Sequence, residues 1–246
     1  MKILLTNDDG IRAPGLHCLC RYLSKIAKVF VVAPLWEQSC TGHSITYGRP
    51  LRLHKAEVPF SEEAWAAGGF PADCVKLGLE HVLDFKPDLV VSGINSGANL
   101  GTDIIYSGTV SGALEGQVYD LPSLAVSLIK EGENMTAAAL FVRDFCLAWQ
   151  KQSFRPCTTF NINVPPGPIK GAKYCHMGRR TYTNVFDIRT DPKGELYFWL
   201  QGDIEADDLT GDVQVTADGF ISVTPLWLDL TDYRLLEGGS LPQILF

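Results

Sequence analysis

The sequence predicts an α/β fold: a doubly wound, mostly parallel sheet with a β-hairpin elaboration toward its C-terminal end. Three observations predict it. Short, largely apolar runs such as "KVFVVAP" and "LPSLAVSLI" recur along the first two thirds, as strands buried on both faces require. Segments of helical spacing alternate with them, and repeated β-α-β order implies parallel pairing through right-handed crossovers. From about Lys170 onward the pattern changes to strict alternation and turn residues.

Taken in order, Lys2 to Thr6 reads as a strand, and Pro14 to about Lys25 as a helix with proline in its first turn. "KVFVVAP" is the second strand. A polar loop, "LWEQSCTGHS", leads into "ITYGRPLRLHKA", an extended excursion or hairpin. "ADCVKLGLEHVL" is helical, and "PDLVVSG" is a buried strand running into the glycine-rich loop "INSGANLGTD". "SGTVSGALEGQVYD" carries a helix start, "LPSLAVSLI" is a strand, "NMTAAALFVRDFCLAWQ" a helix and "TTFNINVP" a strand. Beyond them, "FDIRTDPKGELYFWLQG" reads as a hairpin turning at Asp191–Gly194, and "GFISVTPLWLDLT" as one more strand. A single domain over 1–246 is expected, its core at about 1–168 and a β-rich elaboration at about 169–246.

The 246 residues, 46% of them hydrophobic, suffice for one large core. No apolar run approaches the roughly 20 residues that cross a bilayer, and one lysine followed by a five-residue strand is too short for a secretory signal. A cytoplasmic location without membrane association is expected. The formal charge of −7, without a basic cluster, argues against a nucleic-acid duplex as partner. An acidic protein that handles an anion needs a local positive source, either a metal ion or a helix N-terminus. The 7 cysteines are odd in number and form no C-x-x-C pair, which argues against a disulfide framework or structural zinc, and the 5 histidines are scattered, His43 lying in a loop of interest.

Ligands of open α/β sheets bind beyond the carboxyl ends of the strands. Three such ends carry unusual polar content: Asn7-Asp8-Asp9-Gly10, Glu37-Gln38-Ser39, and Ser92 to Asp103. Adjacent carboxylates repel unless a cation or a proton separates them; the alternative is a solvated turn with a capping role. Where the three strands neighbour one another, Asp8, Asp9, Ser39 and Asn95 meet, and that all-oxygen set suits magnesium or manganese better than zinc. In "YSGTVSGALEG", Ser107 or Thr109 is positioned to cap a helix whose free N–H groups point at an anion. The spacing fits no dinucleotide fingerprint, P-loop or nucleophile elbow. The D-x-D of aspartyl-phosphate phosphatases and the His-Pro-Asp-Asp loop of zinc deacetylases are also missing.

The segments "ILLTNDDGIRAPG", "VVAPLWEQSCTGHSIT", "PADCVKLG" and "VVSGINSGANLGTDIIYSGTVSGALEG" resemble the survival protein E (SurE) family, metal-dependent nucleotidases that act as acid phosphatases. "NINVP" and "GFISVTPLWLDLT" extend the resemblance over nearly the whole chain. It implies a Rossmann-like core with one divalent cation per subunit, magnesium or manganese, held by Asp8, Asp9, Ser39 and Asn95. It also implies hydrolysis of nucleoside 5′- and 3′-monophosphates, short polyphosphate in some members, and a homodimer or homotetramer built partly by exchange of a C-terminal element. Cys40 stands where glycine or alanine is expected, Phe70 where threonine is usual and Gly112 where alanine is common; the segment after "LDLTDY" is short.

The expected reaction is metal-assisted attack of water on a phosphomonoester. Asp8 and Asp9 are the catalytic residues, one of them taking the water's proton, while Asn95, Asn99, Ser107, Gly108 and Thr109 hold the phosphate. The rival readings are a non-catalytic nucleotide-binding module using the same loops and an enzyme working through a phospho-aspartate.

Overall fold

A computed structural model describes residues 1–149, 158–207 and 210–238. Its elements run β1 (Lys2–Thr6), α1 (Pro14–Leu23), β2 (Lys28–Pro34), β3 (Leu53–Ala56), β4 (Glu63–Ala67), α2 (Pro71–Leu77), β5 (Leu89–Ser96), α3 (Gly108–Val118), β6 (Ser123–Leu128), α4 (Met135–Trp149) and β7 (Thr159–Val164). There follow β8 (Ala172–Tyr174), β9 (Arg180–Thr183), β10 (Phe186–Thr190), β11 (Leu196–Leu200), β12 (Asp203–Asp207), α5 (Gly211–Ala217), β13 (Ile221–Leu226) and α6 (Tyr233–Gly238). Gln150, expected at the end of α4, and Cys157 lie outside the described residues.

Nine strands form one sheet in the order β3-β4-β2-β1-β5-β6-β7-β13-β8. The centre is parallel throughout, and the antiparallel pairs are β3 with β4 and β13 with β7. The doubly wound, mostly parallel sheet expected from the sequence is therefore present. Alternate residues of the central strands feed two apolar layers. Ile3, Leu5, Val29 and Val31 pack with Leu16 and Leu19 of α1 and Ala138 and Val142 of α4. Leu4, Val32 and Val90 pack on the opposite side with Cys74 and Val75 of α2. Such strands show no polar alternation, which is why they read as continuous apolar runs.

The excursion after β2 resolves into a loop followed by the hairpin β3–β4, whose second strand, "EAWAA", has too few β-branched residues to stand out. The segment "GDVQVTA" folds as α5 although no helix was expected there. The C-terminal hairpin is as expected: β10 pairs antiparallel with β11, and Asp191 closes the turn by exchanging backbone hydrogen bonds with Glu195 and Gly194. Its side chains are unusually bare, with Ile188, Phe198, Trp199 and Leu200 each more than half exposed. β13 returns to the main sheet beside β7, so the C-terminal third completes the sheet as well as elaborating it. No helix of the described residues is long and apolar enough to cross a membrane.

Candidate active site

β1 lies between β2 and β5, so the three polar loops that follow these strands converge at the point where the chain reverses its direction of winding. In the first loop the Asn7 side chain donates to the Gly10 carbonyl at 2.9 Å and closes a tight turn. Gly10 adopts a φ of +97°, which requires a residue without Cβ. That turn aims Asp8 and Asp9 in different directions. Asp8 is buried against the start of α3, where the Thr109 N–H donates to Oδ2 at 3.0 Å and the Thr109 hydroxyl donates to Oδ1. Asp9 is half-buried and accepts one hydrogen bond, from the Ser96 N–H at 3.2 Å.

The first turn of α3 therefore holds an anion that belongs to the chain itself. Ser107 caps the helix, its hydroxyl accepting from the Val110 N–H at 3.0 Å. Thr109 supplies Asp8 rather than a free anion pocket, which differs from the sequence expectation. Gly108 is required by close approach: a Cβ there would lie 2.9 Å from the Asp8 Cβ and 3.0 Å from the Gln38 carbonyl.

In the second loop Ser39 donates its hydroxyl proton to Glu37 Oε1 at 2.6 Å, which leaves the Ser39 oxygen's lone pairs for another partner. Cys40 sits beside it, exposed, with a φ of +56°. The loop is tied back at several points. Gln38 N–H donates to the Asp8 carbonyl, Thr46 donates to Asp73, and His43 reaches Glu115 at 2.7 Å. Lys76 meets the same glutamate at 2.6 Å. The sequence picked out His43 without identifying its partner.

In the third loop the pairing of β5 with β6 shifts register between Ser92 and Asn95, and the Gly93–Ile94 peptide is cis. Asn95 lies beyond that shift near the end of β5, paired with Ser127, and its amide nitrogen donates to the Gly97 carbonyl at 2.9 Å, which leaves its oxygen as the available donor atom. Asn99 is committed to the scaffold: its side chain donates to Ser127, its N–H donates to Asn163, and its carbonyl accepts from Asn161 and Asn163. Asp212 of α5, buried, accepts the Gly101 and Gly178 N–H groups and fixes the helical turn Gly101–Tyr106 that follows.

Asp8, Asp9, Ser39, Asn95, Asn99 and Ser107 line one cleft of about 1100 Å³. Glu37, Asp103 and Glu131 also line it, and among the described residues no lysine, arginine or histidine does. Glu131 follows β6, a central strand, and that position was the signal by which the sequence could have shown it. Burial pushes Asp8 up to about 6, the Thr109 hydrogen bond offsetting part of the shift and the Asp9 charge adding to it. Asp9 is also raised, by burial first and by the charges of Glu37 and Glu131.

These residues fit a hard divalent cation. Among the described residues no three His, Cys, Asp or Glu side chains gather into a metal cluster by themselves. The available donors are instead two adjacent carboxylates, a hydroxyl and an amide carbonyl, all oxygens, with unbalanced negative charge around them.

The family model described as "Survival protein SurE" matches residues 3–184. The chain is similar to the 5′-nucleotidase SurE of Moorella thermoacetica, 50% identical over 95% of this chain and 92% of that protein. It is 46% identical to the 5′-nucleotidase SurE of Heliobacterium modesticaldum, over 98% of this chain and 94% of that one. Among solved structures it resembles the SurE protein from Aquifex aeolicus, with a TM-score of 0.83 and 38% identity over 96% of this chain and 97% of that one.

Proposed function

The chain belongs to the survival protein SurE family, and from that premise we propose that it is a 5′-nucleotidase, acting also on 3′-monophosphates, that needs a divalent cation. The observation that carries the reading is the pair of adjacent aspartates in a cleft that no basic side chain lines among the described residues. A nucleoside monophosphate enters such a cleft only with its charge compensated.

Asp8, Asp9, Ser39 and Asn95 would hold one cation per subunit, magnesium or manganese. When bound, the cation neutralises phosphate charge and acidifies a water. The chain's own residues divide the remaining work. Asp8 is locked by two donors from Thr109 and serves as a fixed ligand. Asp9 has a single N–H partner, so its second oxygen is free to take the proton of the attacking water. Glu37 holds the Ser39 hydroxyl with its lone pairs directed away from Glu37. Asn95 and the Ser107–Gly108 turn border the phosphate position, while Asn99 and Thr109 support it from behind. In the net reaction water adds to phosphorus, the ester bond breaks, and the nucleoside oxygen leaves with a proton.

The bare apolar side chains of the β10–β11 hairpin support a homodimer or homotetramer, because monomers rarely expose a patch of that kind.

The test is phosphate release from nucleoside 5′- and 3′-monophosphates after stripping with chelator and resupply of magnesium, manganese or zinc. Activity should vanish on stripping and return with magnesium or manganese, and Asp9→Asn should abolish it in a folded protein. Nucleotide binding without turnover under every metal would make the protein a binding module instead.

A further inference from the structure

Asn95 lies on β5 and Asp8 directly follows β1, whereas Ser39 stands on a loop. A hard cation tolerates little error in the spacing of its oxygen ligands, so the loop needs a fixed reference. On one side of Ser39 the Gln38 N–H donates to the Asp8 carbonyl at 2.7 Å. On the other side the chain turns through Cys40, at a φ of +56°, and Gly42, at +55°. Hydroxyls lace this turn internally, Thr41 donating to the Gln38 carbonyl at 2.9 Å and Ser44 to the Thr41 carbonyl. Internal lacing sets the shape of the turn but not its place. The turn is attached to the rest of the molecule by the Gly42 N–H, which donates to the Tyr106 carbonyl at 2.9 Å, and by the His43 side chain. His43 meets a buried charge. Glu115 stands on α3, the helix whose first turn holds Asp8 through Thr109. Its Oε1 accepts from Lys76 at 2.6 Å and its Oε2 from His43 Nε2 at 2.7 Å. An ionised carboxylate only accepts, so His43 Nε2 carries a proton whatever the charge of the ring.

We propose that His43 is a positioning residue for the cation site: through Glu115 it holds the turn that presents Ser39, and so sets how tightly the protein takes its cation. The inference rests on the divalent-cation reading above and deepens it. A buried carboxylate that loses one of its donors is costly, and that cost keeps His43, and the turn with it, against α3. The helix thus fixes Asp8 directly and Ser39 through His43, so one rigid element sets the separation of two ligands. His43 is not among the residues that line the cleft. Its effect therefore falls on the binding of the cation and not on the reacting atoms.

The experiment titrates manganese into chelator-stripped protein without substrate and follows the unbound ion by electron paramagnetic resonance. It compares the wild type with His43→Ala, His43→Gln, Ser39→Ala and the double variant of His43→Ala with Ser39→Ala, and records kcat and the unfolding midpoint of each. His43→Ala should raise the Kd for manganese about tenfold, the lower end of the loss that follows removal of a ligand's supporting partner. Its kcat at saturating manganese should stay at the wild-type value. His43→Gln places an amide N–H where Nε2 was, so it should bind as wild type does. Ser39→Ala should also raise the Kd, and adding His43→Ala should raise it no further, because the ligand that His43 positions is gone. A merely structural His43 would lower the unfolding midpoint of the stripped protein and leave the Kd where it was, which would overturn the proposal. So would a His43→Gln defect as large as that of His43→Ala, or losses that multiply in the double variant. His43→Asn, too short to reach Glu115, should match His43→Ala and decides the matter where the alanine variant fails to fold. Failure of the cation reading looks different: the wild type itself binds no manganese, and both proposals then fall together.

Discussion

Asp8 combines deep burial, two hydrogen bonds from Thr109 and an adjacent carboxylate, and the balance sets its protonation. Its pKa rises from 3.8 to about 6. A raised carboxylate binds a proton in the folded state that the unfolded state has already released. Stability therefore falls as pH rises from about 4 to 6, and the deficit is complete above 6, where it amounts to about 3 kcal/mol in cation-free protein. Asp8→Asn should remove that deficit. Chelator-treated variant should unfold at higher urea than wild type at pH 7.5, and the advantage should disappear near pH 4. The same substitution should abolish phosphate release. The proposed cation would compete with protons for Asp8, so wild-type activity should fall as pH drops through about 6, with a midpoint that moves lower as cation is added.

Cys40 is a second residue whose chemistry follows from its backbone. Its φ of +56° lies in the left-handed region, where an L side chain costs roughly 1–2 kcal/mol. Sequence resemblance suggested glycine or alanine at this position, and the structure selects glycine. Cys40→Gly should stabilise the protein by up to about 1 kcal/mol in urea titration once glycine's own entropy is set against the relief of strain, and Cys40→Ala should not.

At the level of elements, α3 joins three parts of the site. Its first turn holds Asp8, and further along Glu115 ties in the loop that carries Ser39 through His43 and the helix α2 through Lys76. Burial pushes the Glu115 carboxyl up, but hydrogen bonds from His43 and Lys76 outweigh it and hold the group below its ordinary 4.5. A depressed carboxylate stabilises the fold above its unfolded value, and that contribution is lost as pH falls through the folded one. Glu115→Gln should cost about 1–3 kcal/mol at pH 7, less than a fully buried pair would, because both partner side chains are about a third exposed. The cost should shrink below pH 4, as thermal unfolding at the two pH values would show.

Much of this was legible in the sequence and some was not, for physical reasons. β1, β2 and β6 were readable because strands buried on both faces are uniformly apolar. That Asp8 and Asp9 line the cleft was readable because polar residues at the ends of such strands have few structural explanations. β4 and α5 were missed because "EAWAA" has no β-branched residue and "GDVQVTA" alternates like a strand. Thr109 was read as a phosphate contact because its true partner, Asp8, lies 101 residues away, and no local pattern encodes that contact. The link from His43 to Glu115 spans 72 residues and was hidden in the same way.

For the whole molecule, the β10–β11 hairpin does two things at once. Leu200 at its base belongs to the cleft wall, while Ile188 and Trp199 are more than half exposed. Changing the latter two to aspartate should shift the sedimentation coefficient to that of a smaller species. Turnover per subunit should change little, because neither side chain lines the cleft.

On the metal-dependent reading proposed above, the acid-lined cleft also makes metal and nucleotide binding thermodynamically inseparable. With no lysine, arginine or histidine lining the cleft among the described residues, the nucleotide's phosphate would complete the cation's neutralisation as the cation completes the phosphate's. By reciprocity each ligand must tighten the other by the same factor. Titrating the metal alone thus reports the weaker arm of a cycle. On that reading, the effective affinity for the cation would rise with the amount of nucleotide waiting to be cleaved.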